Sequence, residues 1–224
     1  GIKLRKYLRG RAENRYGSLA GVLGRALTGT WAAATNETVR KRDTYAGVFH
    51  ASIMWGFIVL FIGTAILTVD TDIVGIFAPQ YHFFWGPFYV GYSLILDVLG
   101  VVMLVGLGGM AVRRARRPRQ LDYGRVDLGD ATTDRRGFIA GDWVLLGWLL
   151  ALGVSGFILE GIRIRAHEFH WFEGFSPVGY AIGAGLGAAG LSADVARGAH
   201  FWLWWAHAIG ALAFVAYFPF AKTI

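Results

Sequence analysis

The chain has 224 residues, 55% of them apolar and 17% charged, with nine Trp, sixteen Phe, five Pro and no Cys. This composition excludes an ordinary soluble domain, and the lack of Cys excludes disulfides, thiolate zinc sites and Cys-ligated iron–sulfur clusters within these residues. The formal net charge of +7 sits largely in runs that abut apolar stretches. Anionic lipid and membrane topology account for such runs, so nucleic acid is not an expected partner.

Residues 1–44 hold ten Lys/Arg and read as a basic cytoplasmic segment, with one more helix expected ahead of it. Four apolar stretches follow, at 46–69, 87–112, 138–162 and 200–221, each reaching the ~20 residues that a spanning helix needs. The expected fold class is all-α, a polytopic transmembrane bundle over 45–224. The loop from Arg113 to Arg136 holds eight more Lys/Arg, whereas 70–85 holds none and 163–199 only Arg163, Arg165 and Arg197. Basic loops stay cytoplasmic, which sets 1–44, 113–136 and the C-terminal end inside, with 70–85 and 163–199 outside. Aromatic clusters at 81–89, 170–172 and 201–205 then fall at outer span ends, where Trp and Tyr anchor helices. The short, glycine-rich stretch 178–193 reads as an interfacial or re-entrant segment. Its GAGLGAAG run follows no strand, which argues against a dinucleotide loop.

The first span carries His50 about one turn inside its inner end, and the last carries His207 about two turns below its outer end. A histidine inside a bilayer is kept for a proton path, a partner or a metal, and neutral imidazole is the commonest protein ligand of haem iron. Both are therefore candidate haem-iron ligands; a histidine satisfied by a neighbouring helix is the alternative. Their different depths argue against one shared iron. His200 lies seven residues before His207, on the same face but ~10 Å away, too far for one metal. His200 and His82 lie near the outer surface, where a quinone head group or a second haem has room. His82, His167 and His170 otherwise read as solvated or interfacial loop residues.

Three further ionisable residues fall within spans. Asp97 is a helix–helix hydrogen-bond partner or part of a proton path. Glu160 and Arg163, one turn apart, form either a self-neutralising pair or a quinone-side pair in which Glu160 accepts a proton. Glycines such as Gly63, Gly100, Gly153 and Gly210 permit close helix packing.

The last span, HAIGALAFVAYFPFAKTI, resembles the final helix of the respiratory nitrate reductase gamma subunit family of b-type cytochromes. His207, Pro219, Phe220 and Lys222 follow that family's order. The resemblance puts the family's second histidine of this helix at the position after Ile224, and sets His50 at the first ligand of the paired helix. Ten residues further, where the family has another histidine, this chain has Leu60. An inner haem on His50 and the position after Ile224 is implied. An outer haem on His207 lacks a partner unless His82, His200 or another residue supplies one.

A resemblance over nearly the whole chain rests on RKYLRGRAENR, RDTYAGVFHASIMWGFIVLFIGT, GFILEGIRI and FWLWWAHAIGALAFVAYFPFAK. Together these resemble the N-terminal membrane part of fused iron–sulfur oxidoreductases associated with electron-transfer flavoprotein and related to heterodisulfide reductase. The resemblance implies the membrane part of a quinone-linked respiratory oxidoreductase in the plasma (inner) membrane of a prokaryote. Implied cofactors are haem b, one or two per chain, and [4Fe–4S] clusters confined to a downstream C-terminal or separate domain. Menaquinone or ubiquinone is the implied substrate, and electron-transfer flavoprotein an implied partner. Electrons would pass between cytoplasmic iron–sulfur or flavoprotein donors and the quinone pool through haem b. The competing readings are a cofactor-free membrane anchor of a soluble oxidoreductase and a proton or solute transporter. A transporter predicts internal repeats with broken helices, and the halves of this sequence show no convincing repeat.

Overall fold

The computed structural model describes residues 18–116 and 134–217, and the chain divides into two units, Gly1–Gly47 and Val48–Ile224. In the first, the Ser18 hydroxyl caps α1 (Leu19–Ala34), accepting from the Gly21 N–H at 3.2 Å. Leu23, Leu27 and Trp31 recur every four residues along α1 and are exposed, an apolar stripe on one helix face. Asn36, with φ 50°, turns the chain into α2 (Glu37–Arg42); Asn is among the residues that accept the left-handed region. Lys41 pairs with Glu37 one turn earlier, which holds the Glu37 carboxyl below its usual range. Asp43 then opens the first long helix, its Oδ1 accepting from the Ala46 N–H at 3.0 Å.

That helix, α3 (Thr44–Thr68), continues through a π-helical stretch, Val69–Val74, and a final turn, Gly75–Phe77. It is followed by α4 (Gly86–Arg116), α5 (Asp134–Ala166), α6 (Pro177–Ala188) and α7 (Ala193–Tyr217). Among the described residues, four helices are long and apolar enough to cross a membrane: Thr44–Phe77, Gly86–Arg116, Ala140–Ala166 and Ala193–Tyr217. All described elements are helical. Two spans begin or end well beyond the expected bounds, for local reasons. Ser192 caps α7 by accepting from the Val195 N–H at 3.3 Å, which starts it seven residues early. The π-helical stretch carries α3 past residue 69.

Contacts between neighbours fix an up–down–up–down order. Gly56 faces Met103 and Gly63 faces Leu96, so α4 runs antiparallel to α3; Gly100 faces Phe157 and Gly153 faces Leu104, so α5 reverses again. Trp148 Nε1 donates to the Gly210 carbonyl at 3.2 Å and Ser155 meets His207, setting α7 antiparallel to α5. Phe57 and Phe214, with ring centroids 5.9 Å apart, bring α7 against α3. Lipid tails are as apolar as Leu, so helix association rests on van der Waals packing rather than on burial from water. The glycines serve that packing. A Cβ on Gly56 would lie 2.6 Å from Met103 Cβ, and one on Gly106 2.9 Å from the Phe49 carbonyl oxygen. Bulky apolar residues such as Trp202 and Leu212 remain exposed, as expected of faces turned to lipid.

The segment after α5 doubles back. Glu168 and Phe169 both adopt φ 60°, which costs about 1–2 kcal/mol per residue and reverses the chain within two residues. A 3₁₀ turn, Trp171–Phe175, follows. Helix α6 then runs parallel to α5, with Gly179 against Glu160, Gly183 against Gly161 and Gly187 against Arg165. Its first turn therefore lies about six residues, ~9 Å, back along α5 from that helix's end. At ~18 Å, α6 is too short to cross. Its start at this depth is satisfied by α4: Asp97 accepts from the Val178 N–H at 3.1 Å and the Gly179 N–H at 3.3 Å.

Asp97→Ala removes both acceptors and leaves buried N–H groups unpaired, a loss of about 1–3 kcal/mol. Thermal unfolding of the detergent-purified protein should show a lower midpoint, whereas Asp97→Asn, which keeps one acceptor oxygen, should fall between.

Candidate functional site

His207 is half-buried on α7, with Nδ1 2.8 Å from Ser155 Oγ. The Ser155 hydroxyl donates to the Leu152 carbonyl at 3.1 Å. With its one proton committed there, Ser155 accepts from His207 Nδ1–H, which assigns the tautomer and leaves the Nε2 lone pair free. A histidine held this way has the arrangement of a metal ligand fixed through its other ring nitrogen. Gly156 lies beside the ring, where a Cβ would make an ordinary contact with Cε1 at 3.6 Å.

His50 is exposed on α3. It lies seven residues before Phe57, as His207 lies seven before Phe214. The helices run in opposite directions, so the Phe57–Phe214 contact falls between the two histidines, each ~10 Å along its helix. They stand at different depths and do not meet. Leu60 lies on the same helix, and Pro219, Phe220 and Lys222 lie outside the described residues.

At the end of the bundle where α5 finishes, the ionisable residues converge. Arg163 makes a bidentate pair with Glu173, Nη1–Oε1 2.8 Å and Nη2–Oε2 2.7 Å, the geometry in which a guanidinium binds a carboxylate most strongly. Its contact with Glu160 is longer, 3.9 Å. The expected i, i+3 pair is thus the lesser contact of Arg163. Its close partner comes from the turn after α5, ten residues on, and helical spacing gives no hint of it. The one signal in the sequence is a lone acid within the aromatic run HWFEGF. Glu173 is 1% exposed and Asp97 2%. Tyr89, from the start of α4, donates to Glu173 Oε2 at 3.4 Å. Ser176 Oγ, fully buried, sits beside the Glu160 carboxyl without a well-formed hydrogen bond.

The remaining histidines separate by environment. His82 is not a free loop residue: its Nδ1 lies 2.8 Å from Asp70 Oδ2, and Asp70 Oδ1 accepts from the Phe83 N–H at 2.8 Å. Asp70 is 1% exposed and lies in the π-helical stretch, so this pair clasps the loop after α3 to that helix's end. His200 is half-buried and borders a shallow groove with Arg197, Phe201, Trp204 and Trp205, close enough to Arg163 for its charge to act on the ring. His167 and His170 are exposed, and His170 stacks on Phe172. Among the described residues, no group of three or more His, Cys, Asp or Glu is arranged to hold a metal ion.

The chain is 29% identical over 190 residues, 81% of its length, to the EtfAB:quinone oxidoreductase of Syntrophomonas wolfei. It is 23% identical over 196 residues, 88% of its length, to the probable iron-sulfur-binding oxidoreductase FadF of Bacillus subtilis. It spans about a quarter of the length of each, 24% and 25%. No family model matches the chain, and no solved structure does. The two relatives support a kinship with oxidoreductases.

Glu173→Gln leaves Arg163 without its bidentate partner. Breaking a buried ion pair from one side costs roughly 3 kcal/mol or more, so this variant should unfold at a clearly lower temperature than wild type, whereas Asp194→Asn, at an exposed pair with Arg197, should leave the midpoint nearly unchanged.

Proposed function

We propose that this chain is the membrane electron-transfer part of a quinone-linked oxidoreductase, passing electrons between iron–sulfur or flavoprotein donors and the quinone pool through haem b. The kinship with oxidoreductases supports the reaction class. The name of the first relative supports quinone as substrate, and that of the second supports an iron–sulfur partner domain. Charge asymmetry supports a plasma-membrane orientation with both ends of the chain cytoplasmic. The nitrate reductase gamma-like pattern around His207 supports a b-type cytochrome.

One observation carries the haem assignment: the Ser155 bond to His207 Nδ1, which leaves Nε2 free in an apolar helix. Neutral imidazole is the commonest protein ligand of haem iron. His207 would hold one haem iron, and His50, whose side chain makes no hydrogen bond to another described residue, would hold a second haem at its own depth. Haem b bound at either residue would supply one-electron transfer. The chain's own contribution is to orient the His207 imidazole. Ser155 fixes the ring of His207, and Phe57, Phe214 and Trp148 fill the space between helices with aromatic surface. Glu160 and Arg163, about 8 and 12 Å beyond Ser155 along α5, stand toward one end of the bundle and handle the quinone's protons. His200 borders the same region, where a quinone head group would approach; His82, bound to Asp70, serves the loop.

His207→Ala should lose one haem per chain while the protein still inserts and keeps its helical content. Ser155→Ala should keep the haem but hold it about 10–100-fold less tightly, the usual effect of removing a ligand's hydrogen-bond partner. Haem content by absorbance, before and after dilution of the purified variants, checks both. A full complement in His207→Ala would remove His207 from the ligand set.

A further inference from the structure

Three carboxylates and one guanidinium meet where α4, α5, α6 and the Trp171–Phe175 turn converge, and their charges do not balance. Glu173 is matched by two hydrogen bonds to Arg163. Asp97 is matched by two N–H groups of the first turn of α6, the end of a helix that carries partial positive charge. Glu160 has only Arg163 Nη2, at 3.9 Å, the nitrogen that already donates to Glu173 Oε2. Its side chain is pressed against α6, so closely that a Cβ on Gly179 would lie 2.6 Å from Glu160 Cγ. A carboxylate withdrawn from water without full compensation is costly, and in a membrane helix it marks a functional group by default.

A second observation points to the same place independently. Ser176 Oγ is 0% exposed and has no well-formed hydrogen bond, although Ser176 stands next to Glu160. Buried hydroxyls are nearly always paired, so one left over signals a partner that changes or a role in the chemistry. A hydroxyl can accept from a protonated carboxyl and donate to an ionised one, so it suits a neighbour whose protonation changes.

We propose that Glu160 and Ser176 form a proton-exchange site, in which Glu160 gives up and regains one proton. Protonated Glu160 donates to Ser176 Oγ. Once the proton leaves, the Ser176 hydroxyl rotates to donate to the carboxylate, and Arg163 stabilises the negative charge. Every element packed around Glu160 presents a group to it: Tyr89, Tyr92 and Asp97 from α4, Arg163 from α5, Glu173 from the turn, and the N–H groups that open α6. From α7, His200 lies within reach of the Arg163 charge. Tyr92 is itself engaged, donating to the Gly63 carbonyl at 3.0 Å.

The use of this site rests on the quinone reading above; its existence does not. Reduction of a quinone to its quinol takes two electrons and two protons. With the electrons coming from the iron–sulfur or flavoprotein donor, Glu160 delivers one of the protons and is reprotonated from the adjacent aqueous face, and water at that face supplies the other. In the reverse direction it receives one.

Infrared spectroscopy of the detergent-purified protein in H₂O and D₂O tests the site without needing turnover. Wild type should show a protonated-carboxyl stretch that shifts on deuteration and is missing in Glu160→Gln. Ser176→Ala should keep that band at a changed frequency, because the hydrogen-bond partner is gone. A band that survives in Glu160→Gln, or no exchangeable band in wild type across the pH range where the protein stays folded, would overturn the proposal. If Glu160→Gln fails to fold, Ser176→Ala decides: an unshifted band would also overturn it. Haem content measured on the same samples separates the two claims, since a band without haem would sink the cytochrome reading and leave the exchange site standing.

Discussion

The contact between Asp97 and the first turn of α6 is the interaction on which the rest of this end of the bundle depends. In hydrocarbon no water is available to complete a hydrogen bond, so irregular backbone at that depth survives only where protein satisfies it. The chain after α5 violates the simple rule of unbroken spans by doubling back and starting a short helix beside Glu160. A carboxylate from the middle of α4 makes this tolerable by accepting the N–H groups of Val178 and Gly179. Once α6 is held there, Gly179 fixes the Glu160 side chain, Ser176 is buried beside it, and the preceding turn brings Glu173 onto Arg163. The polar cluster is thus a consequence of the chain reversal after α5.

Two uses of glycine divide the bundle. At Gly56, Gly100, Gly106 and Gly153 the glycine lets a neighbouring helix or side chain approach to about 3 Å or less of where a Cβ would be, and these positions draw α3, α4 and α5 together. Gly156 differs: its nearest neighbour is the His207 ring, at ordinary contact distance. The same residue type thus serves close approach between helices at four positions and ordinary packing beside an imidazole at another. Helix α7, with few buried residues beyond Ala196 and Phe214, joins the others through Trp148, Phe57 and the His207–Ser155 bond rather than through close backbone contact.

Hydropathy alone pointed to the four long apolar helices seen among the described residues, because apolar runs of ~20 residues match the thickness of a bilayer and seldom arise in water-soluble chains. The depth difference between His50 and His207 was also legible, since helix rise converts sequence position into distance. The partners of the charged residues were not. Periodicity relates residues on one helix, so it paired Glu160 with Arg163 but had no means of reaching Glu173 across a chain reversal. Asp97 was recognisable as costly within a span, yet its partner is a helix end, which has no side-chain signature. For His82, the aqueous look of the 70–85 loop hid a buried Asp70 turned inward by a π-helical stretch. Ser155 carried no signal either; only the folded α5–α7 pair reveals that it fixes the tautomer of His207.

If the bundle carries electrons through histidine-bound haem b, the cofactor itself is the most direct thing to look for. The measurement is a reduced-minus-oxidised optical spectrum with a pyridine haemochrome assay, on the full-length protein freshly extracted from its membrane. A b-type difference spectrum with one or two haems per chain is the predicted result. Folded protein without any b-type signal would contradict it.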